Sequence, residues 1–234
     1  MPGRMTLTGT ITFQIEKMGK ESTVIILGTA HLATTPGKCS PDGQFREYAY
    51  SREIVAAVAE TLRKEGYTVF VDYMAPNPSP QMKGATAAQE QSRELAWRVD
   101  FVNSICAKYG REKCIYVSVH NNAAGADGCW HTARGFSVYV SPKASEASRV
   151  LARCINDAAK AEGQAVTGNR AVQPQGYWTS SLYVLNNTRC PAVLTENLFQ
   201  DNREDVAFLL SPSGREAIAR LHVRGIVEYI KSRG

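Results

Sequence analysis

The sequence predicts an α/β fold: one domain on a twisted, six-stranded, mostly parallel sheet with helices on both faces. Three observations lead there. Short apolar runs rich in Val, Ile and Tyr recur along the 234 residues. Stretches of helical periodicity separate most of them. The joins also carry helix-stop signals, such as Gly66 in "LRKEGYTVF", where a C-cap glycine belongs. Strands alternating with helices of this length need crossover connections, and these favour parallel pairing.

In chain order, residues 1–22 form either an edge strand, through "ITFQIEK", or an extension, and the main domain runs from 23 to 234. Expected strands are "TVIILG" (23–28), "YTVFVD" (67–72), "CIYVSV" (114–119), "FSVYV" (136–140), "LYVLN" (182–186) and "AVLTE" (192–196). Expected helices cover 45–65, 88–109, 144–162, 203–210 and 213–232. Pro76, Pro78 and Pro80 are spaced too closely for helix or strand, so 73–88 reads as a surface loop.

A chain of this length can bury a sizeable core. Its 44% hydrophobic and 21% charged residues are those of a globular protein, not a disordered one. The net charge of +5 suits solubility or attraction to a polyanion such as an anionic cell wall. No dense basic cluster interleaved with aromatics points to nucleic acid, and no apolar run is long enough for a membrane span. Six scattered cysteines without a CxxC pair read as reduced thiols.

In open α/β sheets, ligands bind beyond the carboxyl ends of the strands. His31 lies three residues past the first strand, His120 directly after 114–119, and Glu196 at the end of "AVLTE". If these strands are parallel, all three share one rim. Glu47 joins them: it precedes Tyr50 and Ile54 on the apolar stripe of its helix, whose start lies near a strand's carboxyl end. An inward carboxylate needs a partner. Two histidines and a glutamate leaving one position open to water form the ligand set of a catalytic zinc site. Glu196 then stands as a separate base for the water's proton.

Each residue alone has a plainer explanation. His31 or His120 suits an ordinary loop histidine, Glu47 a helix-dipole partner, and Glu196 an exposed strand end. Other chemistries fit less well. "ATTPGKCS" lacks the first glycine and the hydroxyl of a phosphate loop, because Leu32 and Cys39 stand there. No G-x-S-x-G elbow occurs. Ser118 precedes His120 by two in a strand, with no third triad member evident. His131, beside Trp130, reads as a loop residue with substrate contact or a spare ligand as the sharper option. His222 reads as structural.

The ordered blocks "GTAH" (28–31), "REYAYSREIV" (46–55), "RVDFVN" (98–103), "VSVHNNA" (117–123), "GFSVYVS" (135–141) and "LYVLNNTRCPAVLTENLFQDN" (182–202) resemble the zinc-dependent N-acetylmuramoyl-L-alanine amidases of the Amidase_3 type. The resemblance implies a single α/β domain with a six-stranded sheet. It matches His31, Glu47 and His120 to the ligands of one Zn2+ per chain, Glu196 to the catalytic glutamate and Asn122 to the asparagine of an H-x-N motif. It also implies peptidoglycan as substrate, cut at the amide between the N-acetylmuramic acid lactyl group and L-alanine. Ala30 and Leu32 depart from the glycines that often flank the family's first histidine. The 73–88 loop and "GADGCWHTAR" are longer than in the shortest members and are expected to line the cleft.

Two rival functions remain at this level: a zinc peptidase cutting within the stem peptide, and a non-catalytic wall-binding module. Partners other than the wall polymer, whether nucleic acid or membrane, are not expected, and a monomer is favoured. The N-terminus lacks the apolar segment of a signal peptide. That suits an endolysin made in the cytoplasm and released onto the wall, or an exported enzyme whose signal has been removed.

Overall fold

Six strands make one sheet in the computed structural model, which describes residues 23–170 and 173–233. The 1–22 strand or extension expected from the sequence lies outside the described residues. The strands are β1 (Val24–Thr29), β2 (Thr68–Val71), β3 (Cys114–Asn122), β4 (Ser137–Val140), β5 (Trp178–Thr179) and β6 (Ala192–Phe199), in the order β2-β1-β3-β6-β4-β5. Every neighbouring pair is parallel except β4 with β6. The helices are α1 (Glu47–Lys64), α2 (Ala87–Tyr109), α3 (Glu146–Ala161), α4 (Gln164–Thr167), α5 (Tyr183–Asn187), α6 (Arg203–Leu210) and α7 (Pro212–Lys231).

The apolar runs at the sheet centre are continuous because both faces are covered. All six β1 residues are buried. Ile25 and Leu27 join a core built with α1, α3 and α7, while Val24 and Ile26 face the opposite core with α2 and α5. The period-two alternation therefore divides one apolar strand between two layers. On the first face, α7 crosses α3 closely at Gly225, where a Cβ would lie 2.6 Å from Ile155 Cα. Four helices start on side-chain caps: Thr86 accepts from Gln89 N–H, Ser145 from Ser148 N–H, Asn202 from Asp205 N–H and Ser211 from Gly214 N–H.

One expected strand is a helix. Residues 182–186 were expected to extend, but Tyr183–Asn187 form α5, and the fifth strand is Trp178–Thr179, paired with Tyr139 and Val140. Consecutive Val184 and Leu185 both bury against the α2 side, which a strand with one covered face cannot do. Asn187 Nδ2 and Thr188 Oγ1 then bond back to the carbonyls of Tyr183 and Val184. Packing overrides the strand propensity of this run. The expected 73–88 loop is irregular as far as Thr86, the N-cap of α2, and inserts Met82 fully into the interior.

Candidate metal centre

His31 sits two residues beyond β1 with φ +42, in the left-handed region that is uncommon outside glycine. It is held through its own carbonyl. Arg52 Nη2 donates to His31 O at 2.8 Å and Arg98 Nη2 at 3.4 Å, while Arg52 Nη1 donates to Ala30 O at 2.8 Å. Ser51 Oγ accepts the Ala30 N–H, and Asp72 Oδ1 accepts that of Thr29.

Glu47 is the first residue of α1, where a carboxylate complements the helix dipole, and it is buried. Its Oε1 lies 3.1 Å from His120 Nδ1 and accepts the Asn121 N–H at 3.1 Å. Its Oε2 has no hydrogen-bond partner and lies 3.5 Å from His31 Nε2. The two imidazoles meet edge to face, with ring centroids 5.1 Å apart. Ligand atoms of His31, Glu47 and His120 all fall within 4.8 Å of one another, the one such group among the described residues.

These separations suit a small divalent cation. Tetrahedral ligands at zinc distances stand roughly 3.4 Å from each other. Each histidine here lies near that from one Glu47 oxygen, His120 3.1 Å from Oε1 and His31 3.5 Å from Oε2, and one ligand atom from each residue falls within 4.8 Å of the others. Protonation agrees. Burial pushes His31 down to about 3 against the pull of Glu47, so its ring is neutral. Burial alone would raise the Glu47 carboxyl, but His31, His120 and Lys38 outweigh it and hold it low. An ionised carboxylate with an unpaired oxygen, facing nitrogen donors, is a donor set for a cation.

Glu196 is the register partner of His120 on the adjacent parallel strand. Paired residues project to the same sheet face, which puts its carboxyl beside the group. Its Oε2 is buried without a hydrogen-bond partner. Burial first, and then Glu47, push its pKa well above the usual carboxylate range, with Lys38 and Arg170 opposing. The sequence placed His120 and Glu196 at strand ends, yet β3 continues to Asn122 and β6 to Phe199. The pairing slips between His120 and Asn122, and Leu198 there has φ +65. This irregularity carries both strands past the rim while leaving His120 and Glu196 level.

The other candidates lie elsewhere. Asn122 turns its side chain onto the Ala123 N–H. His131 pairs with Asp127 Oδ1 at 2.9 Å in its loop. His222 is buried in α7, facing Ile218 O and Thr195 Oγ1. All six cysteines are free thiols. Sequence inspection passed over Arg52, Arg98 and Asp72. Arg98 had a signal: with Glu94 four residues earlier it occupies the buried stripe of α2 beside Val99 and Val102. It donates to Asp72 Oδ2 at 2.7 Å and Glu94 Oε1 at 2.8 Å.

The Amidase_3 family model, described as N-acetylmuramoyl-L-alanine amidase, matches residues 25–228. The chain belongs to this family. Among curated relatives of this amidase domain, an endolysin of Bacillus phage SPP1 is 34% identical over 116 residues, covering 50% of the chain and 40% of that protein. The N-acetylmuramoyl-L-alanine amidase CwlM of Bacillus licheniformis is 31% identical over 137 residues, covering 58% and 46%. The chain thus aligns with less than half the length of these relatives. The amidase fold recurs in the CwlD amidase from Clostridioides difficile, solved in complex with the GerS lipoprotein, at TM-score 0.73 and 22% identity over 90% of this chain and 99% of that one. The catalytic domain of the CD27L endolysin targeting Clostridia Difficile matches at TM-score 0.62 and 25% identity, covering 88% and 97%.

Proposed function

We propose that the chain hydrolyses peptidoglycan at the amide between the lactyl group of N-acetylmuramic acid and the L-alanine of the stem peptide. What supports this most is the cluster of His31, Glu47 and His120 with Glu196 level beside it, in a chain of the amidase family.

His31 and His120, each through one ring nitrogen, and Glu47, through its carboxylate, would hold one Zn2+. When bound, the zinc lowers the pKa of water and polarises the scissile carbonyl. Glu196 takes a proton from the attacking water as its oxygen bonds to the lactyl carbonyl carbon. When the carbon–nitrogen bond breaks, the protonated Glu196 returns that proton to the alanine nitrogen, leaving a lactyl carboxyl group and a free amine. A carboxyl raised by burial suits both halves of this exchange, because its pKa lies nearer the working pH. Glu47 keeps its charge for the cation, so the two carboxyls divide the work.

The site of action proposed is the cell wall, reached as an endolysin reaches it, in keeping with the phage relative. Among the described residues, no helix is long and apolar enough to cross a membrane. The test is digestion of purified cell walls by the zinc-loaded protein, with products read by mass spectrometry. Intact stems bearing a new L-alanine amino terminus are expected. Cuts inside the stem would make it a peptidase, and binding without new amines would make it a wall-binding module.

A further inference from the structure

A chain of hydrogen-bonding groups runs from His120 into the protein, away from the cation position. Its Nε2 lies 3.1 Å from Ser118 Oγ. Ser118 Oγ lies 3.5 Å from Tyr116 Oη, and Tyr116 Oη donates to Asp72 Oδ2 at 3.2 Å. Asp72 is ion-paired to Arg98. Ser118, Tyr116, Asp72 and Arg98 are all buried. The sequence had singled out Ser118 only as half of a triad that lacked a third member.

Counting protons along this chain gives it a direction. The Asp72 carboxylate paired to Arg98 is an acceptor only. The Tyr116 phenol has one proton, which goes to Asp72, its nearer acceptor. The phenol oxygen can then accept from Ser118, and Ser118 Oγ can in turn accept from His120 Nε2–H. With the proton on Nε2, Nδ1 carries the lone pair, and Nδ1 is the nitrogen that faces Glu47. Arg98 also reaches Thr29 Oγ1 at 3.0 Å and the His31 carbonyl at 3.4 Å. One buried ion pair therefore anchors the ring of one histidine and the backbone of the other. Gly28 makes room for it, since a Cβ there would lie 2.3 Å from Tyr116 Oη.

We propose that Ser118 is a positioning residue: relayed through Tyr116 to the Asp72–Arg98 pair, its hydroxyl fixes His120 as the Nε2–H tautomer and presents Nδ1 to the cation. This rests on the metal reading of the site given above. Losing such a partner typically weakens metal binding about ten- to a hundredfold.

The experiment measures zinc affinity of the full chain by chelator competition for wild type, Ser118→Ala, Ser118→Thr and Tyr116→Phe. It also records ring nitrogen signals of 15N-histidine-labelled protein, with His120 assigned by its absence in His120→Gln. Ser118→Ala is expected to lose affinity by about ten- to a hundredfold, Ser118→Thr to recover most of it, and Tyr116→Phe to fall between. Zinc-loaded wild type is expected to show a slowly exchanging Nε2–H on His120. Wild-type affinity in Ser118→Ala, or an Nδ1–H tautomer in the zinc-loaded wild type, overturns the relay and leaves the metal reading intact. A wild type that takes up no zinc sinks both.

Discussion

His120 and Glu196 stand level on β3 and β6, paired in register on adjacent parallel strands. Neighbouring strands run about 4.8 Å apart, so the sheet itself fixes the spacing between a candidate ligand and a candidate acid–base group. Loops set neither position. Catalytic geometry built on strands holds more tightly than geometry built on loops, and Glu47, at the first turn of α1, is comparably anchored.

Replacing Glu196 by Gln should separate binding from turnover. The amide keeps the shape and leaves the three donors untouched, so about one zinc per chain is expected to remain. Amine release from purified walls should fall by about 10² to 10⁴-fold, the usual contribution of a positioned acid or base. Activity within tenfold of wild type would remove Glu196 from the reaction.

Glu47→Ala should do the opposite. Metal analysis of the dialysed variant is expected to find almost no zinc. A ligand that binds only the native state at a thousand times its Kd stabilises it by about 4 kcal/mol, so excess zinc should raise the wild-type melting temperature. The same addition should leave Glu47→Ala unmoved, and an equal rise in both would place the ion elsewhere.

Arg98→Met tests the buried pairing under the site. The substitution fills similar space but strands Asp72 and Glu94 without their cation. Removing one member of a buried pair typically costs about 3–5 kcal/mol. Urea unfolding should show a loss of that size, and a loss below about 1 kcal/mol would contradict the pairing.

Acid should weaken the fold through His222. Burial pushes its pKa from 6.5 down to about 4, against the backbone bond to Ile218. Between those values the unfolded chain takes up a proton that the native ring does not, so stability rises with pH there. The stabilisation is fully present above about pH 6.5 and is lost as pH falls toward 4, on the order of 3 kcal/mol for this one ring. His31 acts in the same direction in metal-free protein. His222→Gln should therefore flatten, without abolishing, the fall in unfolding free energy between pH 6.5 and 4. An unchanged slope would reject the assignment.

Much of this was legible in the chain because its signals are local and strong. Apolar runs such as "VIIL" and "CIYVSV" mark the central strands, and polar residues directly after them mark the rim. Glu47 could be placed because its spacing to Tyr50 and Ile54 gives its face. What stayed hidden depends on contacts between distant segments. β5 has only two residues, too few for a pattern, and α5 is folded by its packing against α2. The slip at Leu198 has no composition mark, so Glu196 looked like a strand end. Asp72 and Arg98 meet only once β1, β2 and α2 are assembled, and neither residue alone announces the other.

The single antiparallel pairing, β4 with β6, governs how this rim can change. β3 leaves the sheet and β4 enters it at the same edge, with β6 between them. The 123–136 connection therefore arches over the carboxyl end of β6 without crossing a sheet face. It is pinned at its flanks, where Asp201 accepts from Ala124 and Gly125 and Asp205 accepts from Gly135, and at His131, whose N–H donates to Asp201 O and whose carbonyl accepts from Asn202 Nδ2. Among the described residues, the tip between Gly125 and Trp130 hydrogen-bonds only within this connection, so it can lengthen, shorten or exchange its side chains while every strand below keeps its register.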